Sequence, residues 1–234
     1  MKYLELKQTV KNNSNKQQAI ILQRFFKTGK GEYGEGDVFA GIKVPLSRKI
    51  ANDFKDLDFT DLQKVIQSKI HEERLITLFI LIAKYKNSDD AVREKLFNFY
   101  LKNIRYVNNW DLVDLSAEKI IGAYLIDKDK RLLFDLVKSN NIWERRIAIM
   151  STFCFIKANQ FAVALKISEL LLKDKHDLIH KASGWMLREI GKRDIQAEEV
   201  FLQKYYKNMP RTMLRYAIEK FPEKKRLNYL KGNF

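Results

Sequence analysis

Asn108-Asn109-Trp110-Asp111-Leu112-Val113-Asp114-Leu115-Ser116-Ala117-Glu118-Lys119-Ile120-Ile121 carries the signature of a capped amphipathic helix. Two asparagines are good N-caps, so a helix is expected to begin at about Trp110, with Asp111 in the first turn where the helix dipole favours a carboxylate. Trp110, Asp114, Ala117 and Ile121 then follow the i, i+4, i+7, i+11 stripe of a core-facing helix. One member is out of character. Asp114 puts an ionisable carboxylate on an apolar face, where it needs either a partner or a task.

The same amphipathic pattern recurs on both sides. Arg74, Trp110, Arg146 and Ala182, each 36 residues after the last, start comparable apolar runs. Apolar residues at three- and four-residue spacing predict helices over 62–66, 72–85, 91–102, 110–125, 132–137, 142–155, 162–172, 178–190, 198–206 and 212–221. Short polar connectors such as Lys86-Asn87-Ser88-Asp89-Asp90 join them. Residues 3–27 read as one or two helices broken at Asn12-Asn13-Ser14-Asn15, with Ile20, Ile21, Leu22, Phe25 and Phe26 as the apolar seam. Pro45 opens another helix from about Leu46, at a first-turn position where its missing N–H costs little. With three prolines and no convincing alternating strand, the chain is expected to be all-α. A helix pair repeating at this interval predicts an α-solenoid, a single repeat domain over 1–234 whose equivalent helices line one concave face.

Five of the nine glycines fall between Gly29 and Gly41, forming a connector at about 28–45. The Gly-Lys-Ser/Thr ending of a phosphate-binding loop is missing, and no strand–loop–helix frame surrounds the run. It reads as an ordered connector whose glycines supply positive φ.

Charge narrows the function. Forty-four Lys and Arg against 29 Asp and Glu leave +15, which implies a polyanionic partner, most often nucleic acid. Between Lys181 and Phe234 the excess is 13 to 6. No run approaches a membrane span, and Met1-Lys2-Tyr3-Leu4-Glu5-Leu6 lacks the apolar core of a signal peptide, so a soluble, cytoplasmic protein is expected. The single cysteine, Cys154, lies in the apolar run 147–156 and reads as a small core residue. His71, His176 and His180 show no metal-ligand spacing, so no metal and no cofactor is expected.

Two further constellations stand out. Helical spacing puts Lys181, Trp185, Arg188 and Lys192 on one stripe, so Trp185 either packs against a nucleic-acid backbone whose phosphates the cations neutralise or sits at a helix seam under their stems. Asn141-Ile142-Trp143-Glu144-Arg145-Arg146 reads as another capped helix start. Arg145 and Arg146 point about 100° apart, so both cannot face the core, and one is free to anchor a phosphate. Trp143 is expected to pack between repeats. There is no serine elbow and no Cys/His nucleophile pattern. A carboxylate among aromatic rings and arginines suits a reaction that passes through a cation, because it stabilises developing positive charge without a general acid.

Together, Trp110-Asp111-Leu112-Val113-Asp114, Asn141-Ile142-Trp143-Glu144-Arg145-Arg146-Ile147-Ala148 and Lys181-Ala182-Ser183-Gly184-Trp185-Met186-Leu187-Arg188-Glu189 resemble the AlkD family of bacterial DNA alkylation repair glycosylases. The glycine loop over 31–37 is also similar to that of many members. The resemblance implies HEAT-like repeats wrapping double-stranded DNA in a concave basic cleft, as a monomer at the nucleoid. It implies removal of cationic N3- and N7-alkylated purines without a base-flipping pocket. By resemblance Asp114 is the catalytic carboxylate, Trp110 and Trp185 are aromatic walls against the lesion's deoxyribose, and Arg146 is a phosphate clamp; Arg145, Lys181, Arg188 and Lys192 are the further DNA-binding residues. The chain departs from many relatives at Asn109, where they carry a second tryptophan. The alternative reading is a non-catalytic DNA-binding solenoid that recognises distorted or branched DNA.

Overall fold

The computed structural model describes residues 2–234, and these are built from helices; among them no strand forms, and one isolated bridge pairs Val38 with Ile70. The helices fall into two compact units, Met1–Ser116 and Ala117–Phe234.

Unit 1 holds α1 (Lys2–Asn12), α2 (Lys16–Phe25), α3 (Val44–Asp53), α4 (Phe59–Ile66), α5 (His71–Lys86), α6 (Asp90–Lys102) and α7, which starts at Trp110 and runs to Ala117. Polar caps set the starts. Asn15, Asp58 and Asp89 each accept the amide N–H three residues on, at 2.8–2.9 Å, and Pro45 occupies the first turn of α3. The centre of the unit is α5, buried without a break from His71 to Leu81 and packed by α1, α3, α4 and α6. A helix apolar all round its later turns has to be enclosed in this way.

The break expected at 12–15 is where α1 gives way to α2, but the seam expected along α2 is not buried. Ile20, Ile21 and Phe25 are each more than half exposed, and Phe26, just past the helix end, is the residue that enters the core. The glycine-rich connector is ordered as expected. Gly31, Gly36 and Gly41 have φ between 79° and 85°, a left-handed region that costs other residues strain.

Unit 2 opens with a π-helical turn, Glu118–Gly122, and a short α8, Ala123–Leu125. An unbroken helix expected over 110–125 is therefore interrupted. The wider turn accommodates a close approach: a Cβ on Gly122 would stand 2.2 Å from the Ser151 carbonyl oxygen, and the Ser151 hydroxyl donates to the Ala117 carbonyl at 3.4 Å. Then follow α9 (Arg131–Leu136), α10 (Ile142–Lys157), α11 (Ala162–Leu170), α12 (Asp177–Gly191), α13 (Ile195–Tyr205), α14 (Arg211–Ala217) and α15 (Glu223–Lys231). Helices α10 and α12 are central, packed on each other and flanked by α9, α11, α13 and α14. The residues that mark the 36-residue interval lie on α5, α7, α10 and α12, although the helix starts drift by a few residues about that period. Trp143 is buried, whereas Cys154, read as a core residue, is only half-buried and forms no disulfide.

Candidate functional site

Helix α7 begins where the asparagine cap puts it. The Asn109 side-chain oxygen accepts the Trp110 amide at 2.8 Å, and Asp111 accepts that of Leu112 at 2.8 Å. Leu112, Val113, Ala117 and Ile121 are fully buried, while Trp110 and Asp114, one turn apart, are half-buried. The stripe thus keeps its apolar floor and presents the ring and the carboxylate at its edge. Asp114 bears on its surroundings electrostatically. Burial, together with its negative charge, keeps the Tyr100 phenol protonated well above the usual range, although Tyr100 also shares a 3.0 Å hydrogen bond with Ser116.

Trp110 is held by other rings. It stacks on Phe26 with centroids 4.9 Å apart and planes within 19°, and meets Phe25 edge-on at 5.8 Å. Phe26 stacks in turn on Phe39 of the glycine-rich connector at 4.9 Å, and Phe39 stacks on His71 at 4.4 Å. Four rings from α7, the end of α2, the connector and α5 therefore form one column.

At the foot of that column lies a charged network that sequence reading missed. The imidazole of His71, 1% exposed, hydrogen-bonds Asp37 through Nδ1 at 3.0 Å and Asp111 through Nε2 at 2.9 Å. Arg74 donates to the other oxygen of Asp37, and Asn109 donates to Asp37 at 3.1 Å. Burial disfavours charge on His71, but the adjacent Asp111 carboxylate and the bond to Asp37 override it and push the pKa up to about 9, against Arg74. Burial also opposes charge on Asp37; the hydrogen bond from His71 and the charge of Arg74 nonetheless hold its carboxyl below its ordinary range. Next to His71, Glu72 accepts the backbone N–H groups of Ala40, Gly41 and Ile42 at 2.8–3.1 Å. The signal available in sequence was composition. His71-Glu72-Glu73-Arg74 opens a run, Leu75 to Ala83, that is almost wholly apolar, and four ionisable residues at the head of a buried helix need buried partners.

The remaining predicted site residues are in unit 2. Trp185 on α12 is half-buried, packs on Phe153 at 5.9 Å, and its indole N–H donates to Glu189 at 3.2 Å. Lys192 also pairs with Glu189, at 2.5 Å, so this carboxylate orients ring and cation together. Burial works against charge on Glu189, and Lys192 more than compensates, drawing its pKa down. Lys181 pairs with Asp177 at 2.7 Å, and Arg188 with Glu219. The two adjacent arginines of α10 diverge as helical geometry requires. Arg145 pairs with Asp174 at 2.6 Å and donates to the Ser139 carbonyl at 2.9 Å; Arg146 is 5% exposed and donates to the carbonyl of Leu178, at the start of α12. Arg146 thus ties α10 to α12. Among the described residues no group of His, Cys, Asp and Glu could hold a metal ion, and no helix is long and apolar enough to cross a membrane.

The arrangement has two chemical capacities. In unit 1 a carboxylate stands beside a braced indole, a setting that stabilises a developing cation. In unit 2 a second half-buried indole lies among arginines and lysines, whose fork and point-charge donors suit phosphate oxygens.

A family model described as "DNA alkylation repair enzyme" matches residues 6–221. A solved structure described as a predicted DNA alkylation repair enzyme from Enterococcus faecalis is similar in fold, with a TM-score of 0.68 at 17% identity over 90% of this chain and 97% of that one. No curated protein sequence matches the chain.

Proposed function

The chain belongs to the DNA alkylation repair enzyme family, and within it we propose that this protein is a monofunctional DNA glycosylase acting on cationic N3- and N7-alkylated purines in duplex DNA. The observation that carries this reading is the pairing of Asp114 with Trp110: a half-buried carboxylate one helical turn from a half-buried indole that other rings lock in place.

The chemistry asks little more. An alkylated purine already carries positive charge, so cleavage of the C1′–N bond releases a neutral base and leaves an oxocarbenium-like sugar; no general acid is needed. The Asp114 carboxylate stabilises that cation and orients a water molecule. The water oxygen bonds to C1′, its proton passes to Asp114, and an abasic site results. Trp110 offers an electron-rich face to the sugar. For unit 2 we assign Trp185 as an aromatic wall against deoxyribose, Arg146 as the phosphate clamp, and Arg145, Lys181, Arg188 and Lys192 as further backbone contacts. Four of these cations are paired with carboxylates in the structure, so binding exchanges one anion for another. The excess of +15 favours that exchange.

The decisive measurement is release of 7-methylguanine from duplex DNA by the wild type and by Asp114→Asn. We expect the wild type to release the base. The variant should lose at least about a hundredfold in single-turnover rate, as removal of a transition-state stabiliser does, with duplex affinity retained. Binding without release by the wild type would instead favour a DNA-binding solenoid.

A further inference from the structure

The network at the head of α5 is too costly to be incidental, and it touches the proposed catalytic helix directly. Ionised carboxylates only accept hydrogen bonds, and both ring nitrogens of His71 face one, Asp37 on one side and Asp111 on the other. Both nitrogens therefore carry protons, and the ring is an imidazolium. The charged groups that face it are Asp37 from the glycine-rich connector, Asp111 from α7 and, from its own helix, Arg74. The end of α2 contributes only the uncharged ring of Phe26, 5.3 Å away.

We propose that His71 is a positioning residue for the glycosylase reaction: its imidazolium clamps the first turn of α7 through Asp111 and the glycine-rich connector through Asp37, and it closes the ring column that fixes Trp110. The assignment deepens the glycosylase reading and rests on it. His71 does not touch DNA, since it is 1% exposed; it acts through Asp111 and through Phe39 and Phe26 on the residues at either side of it. Each piece of the geometry is directional. The Asp111 bond sets the rotation of α7 about its axis, and hence where Asp114 points. The column sets the plane of the indole. Asn109, bridging the Trp110 amide and Asp37, couples the two. A neutral ring can donate only one of the two hydrogen bonds, so loss of the proton breaks one side of the clamp, the bond to α7 or the bond to the connector.

The test uses the full chain and two variants, His71→Gln and Asp111→Asn; the second keeps an acceptor for the ring while removing the charge. In single-turnover release of 7-methylguanine we expect His71→Gln to fall about ten- to a hundredfold, the penalty for a misplaced catalytic group, while duplex affinity changes less than about threefold. A role in stability alone would make the urea midpoint depend on pH but leave the single-turnover rate of the folded enzyme unchanged. The ratio of wild-type to His71→Gln rates, in which titration of the substrate cancels, should collapse toward one as pH rises through about 9. A second readout needs no activity. The Trp110 indole N–H signal in a proton–nitrogen correlation spectrum, assigned with Trp110→Phe, should move over the same pH range in the wild type. In His71→Gln it should sit at its high-pH position already at pH 7, and in Asp111→Asn the transition should shift downward. If the wild type releases no base, the glycosylase reading fails, and the Trp110 signal still decides the clamp. A Trp110 signal indifferent to pH and to residue 71, or equal losses of rate and affinity at every pH, would overturn it.

Discussion

A Cβ at position 191 would stand 1.6 Å from Glu198 Oε2, so the glycine that ends α12 makes room for a carboxyl group on α13. That carboxyl is 1% exposed, and its Oε1 has no hydrogen-bond partner. Burial, aided by the neighbouring charge of Glu199, pushes its pKa up to about 8 against Arg188 and Lys225. Glu198 is thus protonated in the folded protein at neutral pH and ionised in the unfolded one. The folded state holds the extra proton, so stability falls as pH rises from about 4.5 to about 8, and the cost is complete above that range. Glu198→Gln removes it. Urea denaturation should show the variant matching the wild type near pH 4 and exceeding it by roughly 4–5 kcal/mol at pH 8.5. None of this is legible in sequence, where Glu198 is simply the first residue of a polar helical turn. Asp114 is the opposite case. Its place in an apolar stripe marks it in the sequence alone, because the anomaly lies within four residues of chain.

At the scale of elements, the connector between α2 and α3 shows what periodicity can and cannot supply. Its order and the positive φ of Gly31, Gly36 and Gly41 follow from composition. Its attachments do not, because Glu72, His71 and Arg74 lie more than thirty residues away in sequence. Gly41 shows how tight the fit is. At φ +85° a Cβ there would lie 2.1 Å from the Asn15 carbonyl and 2.7 Å from the Ala19 amide, that is, against the backbone at the start of α2. Gly41→Ala should destabilise the protein by about 2 kcal/mol or more, since strain and overlap act together. Chemical denaturation would check this, and an unchanged midpoint would mean that α2 shifts freely. Helix α2 departs from its pattern, with Ile20, Ile21 and Phe25 exposed. A seam of Ile20, Ile21 and Phe25 has helical spacing, but spacing reports amphipathicity and not which surface is covered.

Across the whole molecule, helical content, the recurrence of helices at about 36 residues and the three family motifs were readable because each is local or periodic. Partner choice was not. The basic residues singled out in sequence all have partners in the structure, carboxylates for Arg145, Lys181, Arg188 and Lys192 and the Leu178 carbonyl for Arg146. With an excess of +15, association with duplex DNA should be dominated by counterion release and weaken steeply with salt. Arg146→Ala should weaken binding to every duplex sequence and lower the slope of log affinity against log salt by about 0.9, the share of one phosphate. Binding titrations at several salt concentrations measure this, with a thermal melt to separate loss of the Leu178 bond. An unchanged slope would remove Arg146 from the phosphate contacts. The bonds that seat α7 have a kinetic consequence as well. His71 reaches 34 and 40 residues along the chain to its two carboxylates, and Asn109 reaches 72 residues to Asp37. Individual helices form from near neighbours, whereas these contacts must wait for long loops to close. The setting of Trp110 is therefore expected to form only after the long loops of its unit have closed, so that helix signal returns before the Trp110 environment does in a refolding experiment.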